Sequence, residues 1–413
     1  MFRCFMTLLF VLCMAFGGVM PLQAAEELPP PFCGELDDED CELLHRSAEA
    51  MLGLDSYYTE VAYILYQQGI PELPPDSEAA LRIAGSYSFD DDARAALRTF
   101  VVISRADPLE AIAAISETPT LLTDLYGGMN ADLDITLDLS ASWLSIIEEE
   151  SEVDWPARTT VNVRLVDGVL YFDISELKPL IPELADQQDW VAFELVAAIQ
   201  SLIDEGAVQE LAADVAASSE GRSVWGLDPT MLNLITSMRS TFGRPEVLWP
   251  YMEIERRRDV VLDDGQEGAF FETEFDTLDF ILSNDFREVL TQAFQVAAVS
   301  DDAPMSAQEI NEITGFFWFL APSLFRDLEV SGTSTIGLDD AYQHEGRTVL
   351  DWDLTALMQM IGSFDAELGL DLADEIFITF TTEVTNSAFG EPVNVAAPEE
   401  AEFLPFEELE EFN

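Results

Sequence analysis

Lysine is almost missing from this chain. Lys178 is the only one, and lysine and arginine together number 18 against 80 acidic residues, for a net charge of −62. With so little positive charge there is no basic patch for nucleic acid, and anionic lipid headgroups are repelled as well. Histidine is nearly as scarce, with only His45 and His344. Nucleophilic catalysis needs a base within hydrogen-bond reach, and neither histidine has a G-x-S-x-G elbow nearby. Gly221-Arg222-Ser223-Val224-Trp225-Gly226 misses that spacing. With 80 carboxylates, any acid pair chosen as a glycosidase dyad would be chosen by chance. The run Asp90-Asp91-Asp92 lacks the spaced oxygens and closing glutamate of a calcium loop, and reads instead as a helix N-cap with acids suited to the dipole. The expectation is a protein that is not an enzyme and carries no cofactor and no metal.

Cysteine is also sparse. Cys4 and Cys13 lie in an apolar N-terminal stretch, and Cys33 and Cys41 follow it. That stretch has Arg3 at its start, an apolar run from Phe5 to Val19 and a small-residue cleavage site at Leu22-Gln23-Ala24, so residues 1–24 read as a secretory signal. It is too short and too interrupted, by Pro21 and Gln23, for the roughly 20 apolar residues of a membrane span. Neither Cys13 nor Cys33 is preceded by the small residues expected of a lipidation site, so the mature chain is expected to have no transmembrane segment and no lipid anchor. Losing the leader, which carries one arginine and no acid, takes the charge from −62 to −63. In the oxidising periplasm, cell envelope or extracellular space, Cys33 and Cys41 are expected to pair. That disulfide is a local staple worth about 2 kcal/mol.

Despite the charge, 48% of the residues are hydrophobic, an ordinary globular fraction. The acid is therefore a coat on a real core. After the proline-rich leader of the mature chain, Glu42 to Gln68 places apolar residues mostly three and four apart and predicts a helix. Helices are also predicted over Ala93 to Ser104 and Pro108 to Leu125. From Ala131 to Ala141 the pattern alternates strictly, and Thr159 to Leu165 alternates again before an Asp167-Gly168 hairpin turn. A strand with one wet face favours an antiparallel sheet covered on one side. A unit of glycine, apolar strand, capping residue and helix starts at Gly168, Gly221, Gly268 and Gly346, with candidate caps Ser175, Asp228, Asp276 and Asp353. The helix Ala307 to Leu320 carries Phe316-Phe317-Trp318-Phe319, which reads either as buried core or as the lid of an apolar cavity.

Three stretches resemble the lipoprotein-carrier superfamily typified by LolA and by the LppX and LprG type of envelope proteins. They are Asp167 to Phe172 followed by Asp189 to Leu195, Ile336 to Asp340 with Thr348 to Asp353, and the closing strand Thr385 to Pro398. The resemblance covers about two thirds of the chain and implies an α+β fold: a curved antiparallel sheet, or half barrel, with helices covering its concave face, over residues 129–398. Read from the residues themselves are the signal (1–24), an N-terminal helical region (25–128) and an acidic tail (399–413). The resemblance also implies a hydrophobic or acyl-bearing ligand between sheet and helices, against Leu133, Ile135, Leu137, Val161, Val163, Leu170, Phe172, Phe271, Phe316, Phe317, Ile376, Ile378 and Phe380. The expected function is lipid binding, with a carrier role. A ligand-free structural or interaction protein of the envelope is the alternative.

Overall fold

A computed structural model of the chain describes residues 31–69, 76–106, 118–151, 154–181, 184–206, 248–263, 265–288, 290–291, 307–356, 359 and 375–405. The expected signal peptide and the Gly221 unit lie outside these residues. In chain order, the elements before the first long gap are α1 (Asp38–Leu52), β1 (Ser56–Gln68), β2 (Ser77–Phe89), α2 (Asp91–Ala106), α3 (Thr120–Gly128), β3 (Met129–Leu139), α4 (Ala141–Ser151), β4 (Arg158–Val166), β5 (Val169–Asp173), β6 (Trp190–Phe193) and α5 (Leu195–Asp204). After it come β7 (Met252–Arg256), β8 (Val260–Val261), β9 (Glu267–Phe275), α6 (Thr277–Leu282), α7 (Ala307–Leu324), β10 (Leu328–Gly337), β11 (Gln343–Asp353), β12 (Phe377–Ser387) and β13 (Glu402–Phe403).

The thirteen strands among the described residues belong to one sheet, in the order β13-β6-β5-β4-β3-β2-β1-β12-β11-β10-β9-β7, with β8 also on β9. The register puts Tyr57, Tyr87 and Ala131 on one face, and on the other Glu60, Asp132, Asp134 and Asp138. The first face is apolar and carries α1, α2, α3, α5, α6 and α7, whose side chains join its clusters. The second is the acidic coat. Scarce arginines bridge neighbouring strands there: Arg164 to Asp132 at 3.3 Å, Arg82 to Asp138 at 3.4 Å and Arg347 to Glu383 at 3.3 Å. Each such exposed pair contributes little on its own.

The half barrel is not formed. The sheet is open, neither closed nor curled, and it is mixed, because β13 runs parallel to β6. Its helices sit in scattered groups rather than across one concave surface. The resemblance to the LolA and LppX superfamily is therefore overturned by the topology, and with it the fold class drawn from that resemblance.

The predicted helix over Glu42 to Gln68 also divides. Gly53 ends α1, and β1 follows with period-two burial at Tyr57, Thr59 and Val61. Leu54, Tyr58, Val61 and Leu65 happen to fall at helical spacing, but the segment is dense in Tyr, Thr, Val and Ile, which favour a pleated surface. Its place between β2 and β12 supplies strand partners on both sides. The supposed N-terminal helical region thus supplies two central strands.

Several local expectations hold. Val166 and Val169 face one another across Asp167 and Gly168, whose φ angles of 50° and 78° suit a type I′ hairpin turn. The Asp90 carboxylate accepts from the Ala93 N–H at 2.8 Å, and Asp276 accepts from Asp279 N–H at 2.9 Å. A Phe-Asp pair therefore ends β2 and β9 alike and starts the helix that follows each. Asp353 accepts from Thr355 N–H at 2.8 Å. In the Gly168 unit the Asp173 carboxylate accepts from the Ser175 N–H, and a run of turns follows β5 in place of the expected helix.

Candidate functional site

The thirteen residues expected to line an acyl cavity do not surround one space. Leu133, Ile135, Val163, Leu170 and Phe172 are buried in the largest apolar cluster, against which Val161 packs, and Leu137 shares their face of β3. They fill the region between sheet and helices. Phe271 belongs to a second cluster and is fully buried, and Ile376 is buried just before β12. Ile378 and Phe380 share the apolar face further along the sheet, where Phe380 is 40% exposed and stacks on Tyr63. On α7, Trp318 packs inward beside Ala321 and Phe325, while Phe316 and Phe317 are 60% and 40% exposed. Those two rings are neither core nor lid. With no half barrel to enclose it, the acyl-binding groove is corrected along with the fold.

A different space lies under α1. Leu44, Ser47, Ala48 and Met51, at helical positions i, i+3, i+4 and i+7, form its roof. Met252 and Ile254 of β7, Thr273 of β9, and Ser334 and Ile336 of β10 form its floor, with Gln343 at the start of β11. Pro31, Phe32 and Trp249 close one side. The cleft measures about 300 Å³ and opens to solvent. Its walls are mainly apolar, and Thr273, Ser334 and Gln343 add polar groups from the sheet.

Local chemistry fixes these walls. The expected disulfide is present: Cys33 and Cys41 are joined, with Cα atoms 5.3 Å apart, which ties the lead-in carrying Phe32 to the first turn of α1. Gly34 makes that turn at φ 49°, and a side chain there would meet Ile254 and the Phe32 ring. Phe32 reaches Trp249 with ring centroids 5.9 Å apart. Asp37 caps α1 by accepting from the N–H groups of Glu39 and Asp40. Arg256 of β7 pairs with Asp40 of α1 and with Asp259 at 2.7 Å. The Asp259 hydrogen bond first, and then Asp40, hold the guanidinium charged despite partial burial. A disulfide thus joins the roof to the side wall, and a partly buried ion pair joins it to the floor strand β7.

The two histidines have no nucleophile among their described partners. His344 lies 3.2 Å from Asp340 and edge-on to Phe389, and His45 has a buried Nδ1 without a described partner. Among the described residues, no group of three or more His, Cys, Asp and Glu side chains could hold a metal ion, and no helix is long and apolar enough to cross a membrane.

The sequence reading missed the α1 cleft because its residues come from six separate stretches. Parts of it were legible: the helical pattern through Leu44 to Met51 and the Cys33 and Cys41 pair. What periodicity could not supply is that β7 lies under α1. No protein-family model matches the chain, and no curated protein matches it.

Proposed function

We propose that the protein is an exported binding protein of the periplasm, cell envelope or extracellular space. It works without catalysis and receives an apolar side chain of another polypeptide in the α1 cleft. The apolar leader with Arg3 supports export. The observation that carries the binding role is the cleft itself. Ligand sites are concave, mainly apolar recesses with a few placed polar groups, and this cleft has that form. Here about 300 Å³ stays unfilled between walls held by a disulfide and an ion pair. Ligand pockets run from roughly 300 to 1,000 Å³, so this one suits a compact group and not a long chain. A single bulky anchor in a preformed pocket is how polypeptide interfaces concentrate their binding energy.

A photo-crosslinking residue at Met252, inside the cleft, tests this, with Asn162 on the acidic face as control. Crosslinking in the native exported fraction should give a discrete polypeptide adduct at Met252 and none at Asn162. No adduct, an adduct with a small molecule, or equal labelling at both positions overturns the reading.

A further inference from the structure

The cleft lies at the end of the sheet. Met252 and Ile254, which form part of its floor, belong to β7, the terminal strand of the order, and among the described residues β7 pairs only with β9. An edge strand with one free side is a template for an extended segment, whose alternate side chains would point toward the apolar face where the cleft lies. Beside the cleft, the stretch Gly34 to Met51 carries seven acids and one arginine, Arg46. Asp40 and Glu49 have ion-pair partners, in Arg256 and Arg98. Glu35, Asp38, Glu39 and Glu42 are exposed and form no ion pair among the described residues. Nearby Arg257 is already paired with Glu255 and Glu272, which leaves Arg46 and Arg258 as a modest counterweight.

Resting on the binding role just proposed, we infer that the partner is a cationic, extended polypeptide segment that adds to β7 and places one bulky aromatic or aliphatic side chain in the cleft. Positive side chains on such a segment meet the acids at the start of α1, while an acidic segment would be repelled both there and by the whole molecule. The edge strand sets direction, the cleft selects size and the acids select charge. A small apolar molecule would use the cleft alone and would draw nothing from the edge or the charge.

The test uses the full mature protein and four short synthetic probes: a lysine- and arginine-rich peptide with one central Trp, the same peptide with Ala in place of Trp, a neutral Trp peptide and an acidic Trp peptide. The basic Trp peptide is expected to bind at least about tenfold more tightly than each of the others, with affinity falling as sodium chloride rises. The combined exposed substitutions Glu35→Gln, Asp38→Asn, Glu39→Gln and Glu42→Gln should remove most of that salt dependence without loss of fold. Ala48→Phe, which fills the cleft, should abolish the advantage of Trp over Ala. If neutral and basic Trp peptides bind equally, the charge inference falls and the docking role stands. If no peptide binds while free indole does, or if nothing binds, both fall.

Discussion

The sheet divides into two runs that meet where β1 pairs with β12. One runs β1-β2-β3-β4-β5-β6 and the other β12-β11-β10-β9-β7, and each contains a hairpin, a helical excursion launched from a Phe-Asp end, and an antiparallel return strand. Their cores differ in kind. On the first run Tyr57, Ile83, Leu133, Leu165 and Phe172 belong to one continuous cluster, closed by Ala93 and Val101 of α2 and by parts of α3 and α5. On the second, among the described residues, the buried side chains form two small groups, one around Phe271 and one around Phe280. The strands there are rich in Thr, Ser and Gly, as in β10 and β12, and on the apolar face Thr348 and Phe380 remain exposed. Among the described residues the second run buries fewer apolar side chains, and the α1 cleft lies on that side. Regions with few buried apolar contacts are where opening and binding concentrate.

Truncating the filled half should have the largest effect. Leu133→Ala removes a side chain that is 1% exposed and is expected to lower unfolding free energy by about 3 kcal/mol. Urea titration followed by fluorescence measures it. A loss below about 1 kcal/mol would mean that the first run does not anchor the fold.

The next effect is alkaline, and it also belongs to the filled half. Burial raises the phenol pKa of Tyr57 and Tyr87, whose rings stack with centroids 5.4 Å apart. In the unfolded chain both would ionise near pH 10. Below that pH the folded and unfolded states hold the same protons and these groups leave stability flat. Above it the unfolded state sheds protons that the folded state keeps, so stability falls by about 1.4 kcal/mol per tyrosine per pH unit until the folded values are passed. Tyr57→Phe should flatten part of the slope of melting temperature against pH above 10, the raised phenols of Tyr58, Tyr63, Tyr66, Tyr87, Tyr171 and Tyr251 keeping the rest. An unchanged slope would place the alkaline sensitivity elsewhere.

How much of this was legible beforehand follows the same division. Ala131 to Ala141 alternates without a break because one face is filled and the other is wet, so β3, β4, the Asp167-Gly168 hairpin and the covered antiparallel pattern could all be read. The Cys33 and Cys41 bridge was legible from compartment and parity. In β1 the same physics was hidden by a coincidence of spacing, because Leu54, Tyr58, Val61 and Leu65 satisfy a helical period as well. Strand order was not legible at all. Nothing local tells β1 to pair with β12, more than 300 residues later in the chain, and sheet curvature depends on that order together with twist and bulges. The half barrel came from the resemblance of three short stretches, and the side chains assigned to its cavity turned out mostly to be packing. The cleft needed α1 and β7 to be brought together, which composition and period do not encode.

Breaking the tie across the open half should cost less than breaking the filled core, and should stay local. Arg256→Ala leaves Asp40, whose side chain is only 10% exposed, without its cation. Orphaning a buried charge costs about 3–5 kcal/mol when both partners are fully enclosed. Arg256 keeps 26% of its side chain in water, so about 2 kcal/mol is expected after solvent screening. Hydrogen exchange should speed up in α1 and β7 and stay unchanged in β3 and β4. Equal acceleration on both sides would show that the two runs unfold as one unit.

The smallest effect tests whether the surface of the open half is truly surface. Phe319 on α7 is 77% exposed, whereas Trp318 beside it packs with Ala321 and lies 5.5 Å below the Arg287 guanidinium. An apolar ring left in water contributes no burial term, and substitutions at such positions fall within about 0.5 kcal/mol of neutral. Phe319→Ser should therefore leave the urea midpoint unmoved while Trp318→Ser lowers it. If Phe319→Ser costs more than about 1.5 kcal/mol in the isolated protein, the ring is covered in solution, and α7 belongs to a packed core as full as that of the first run.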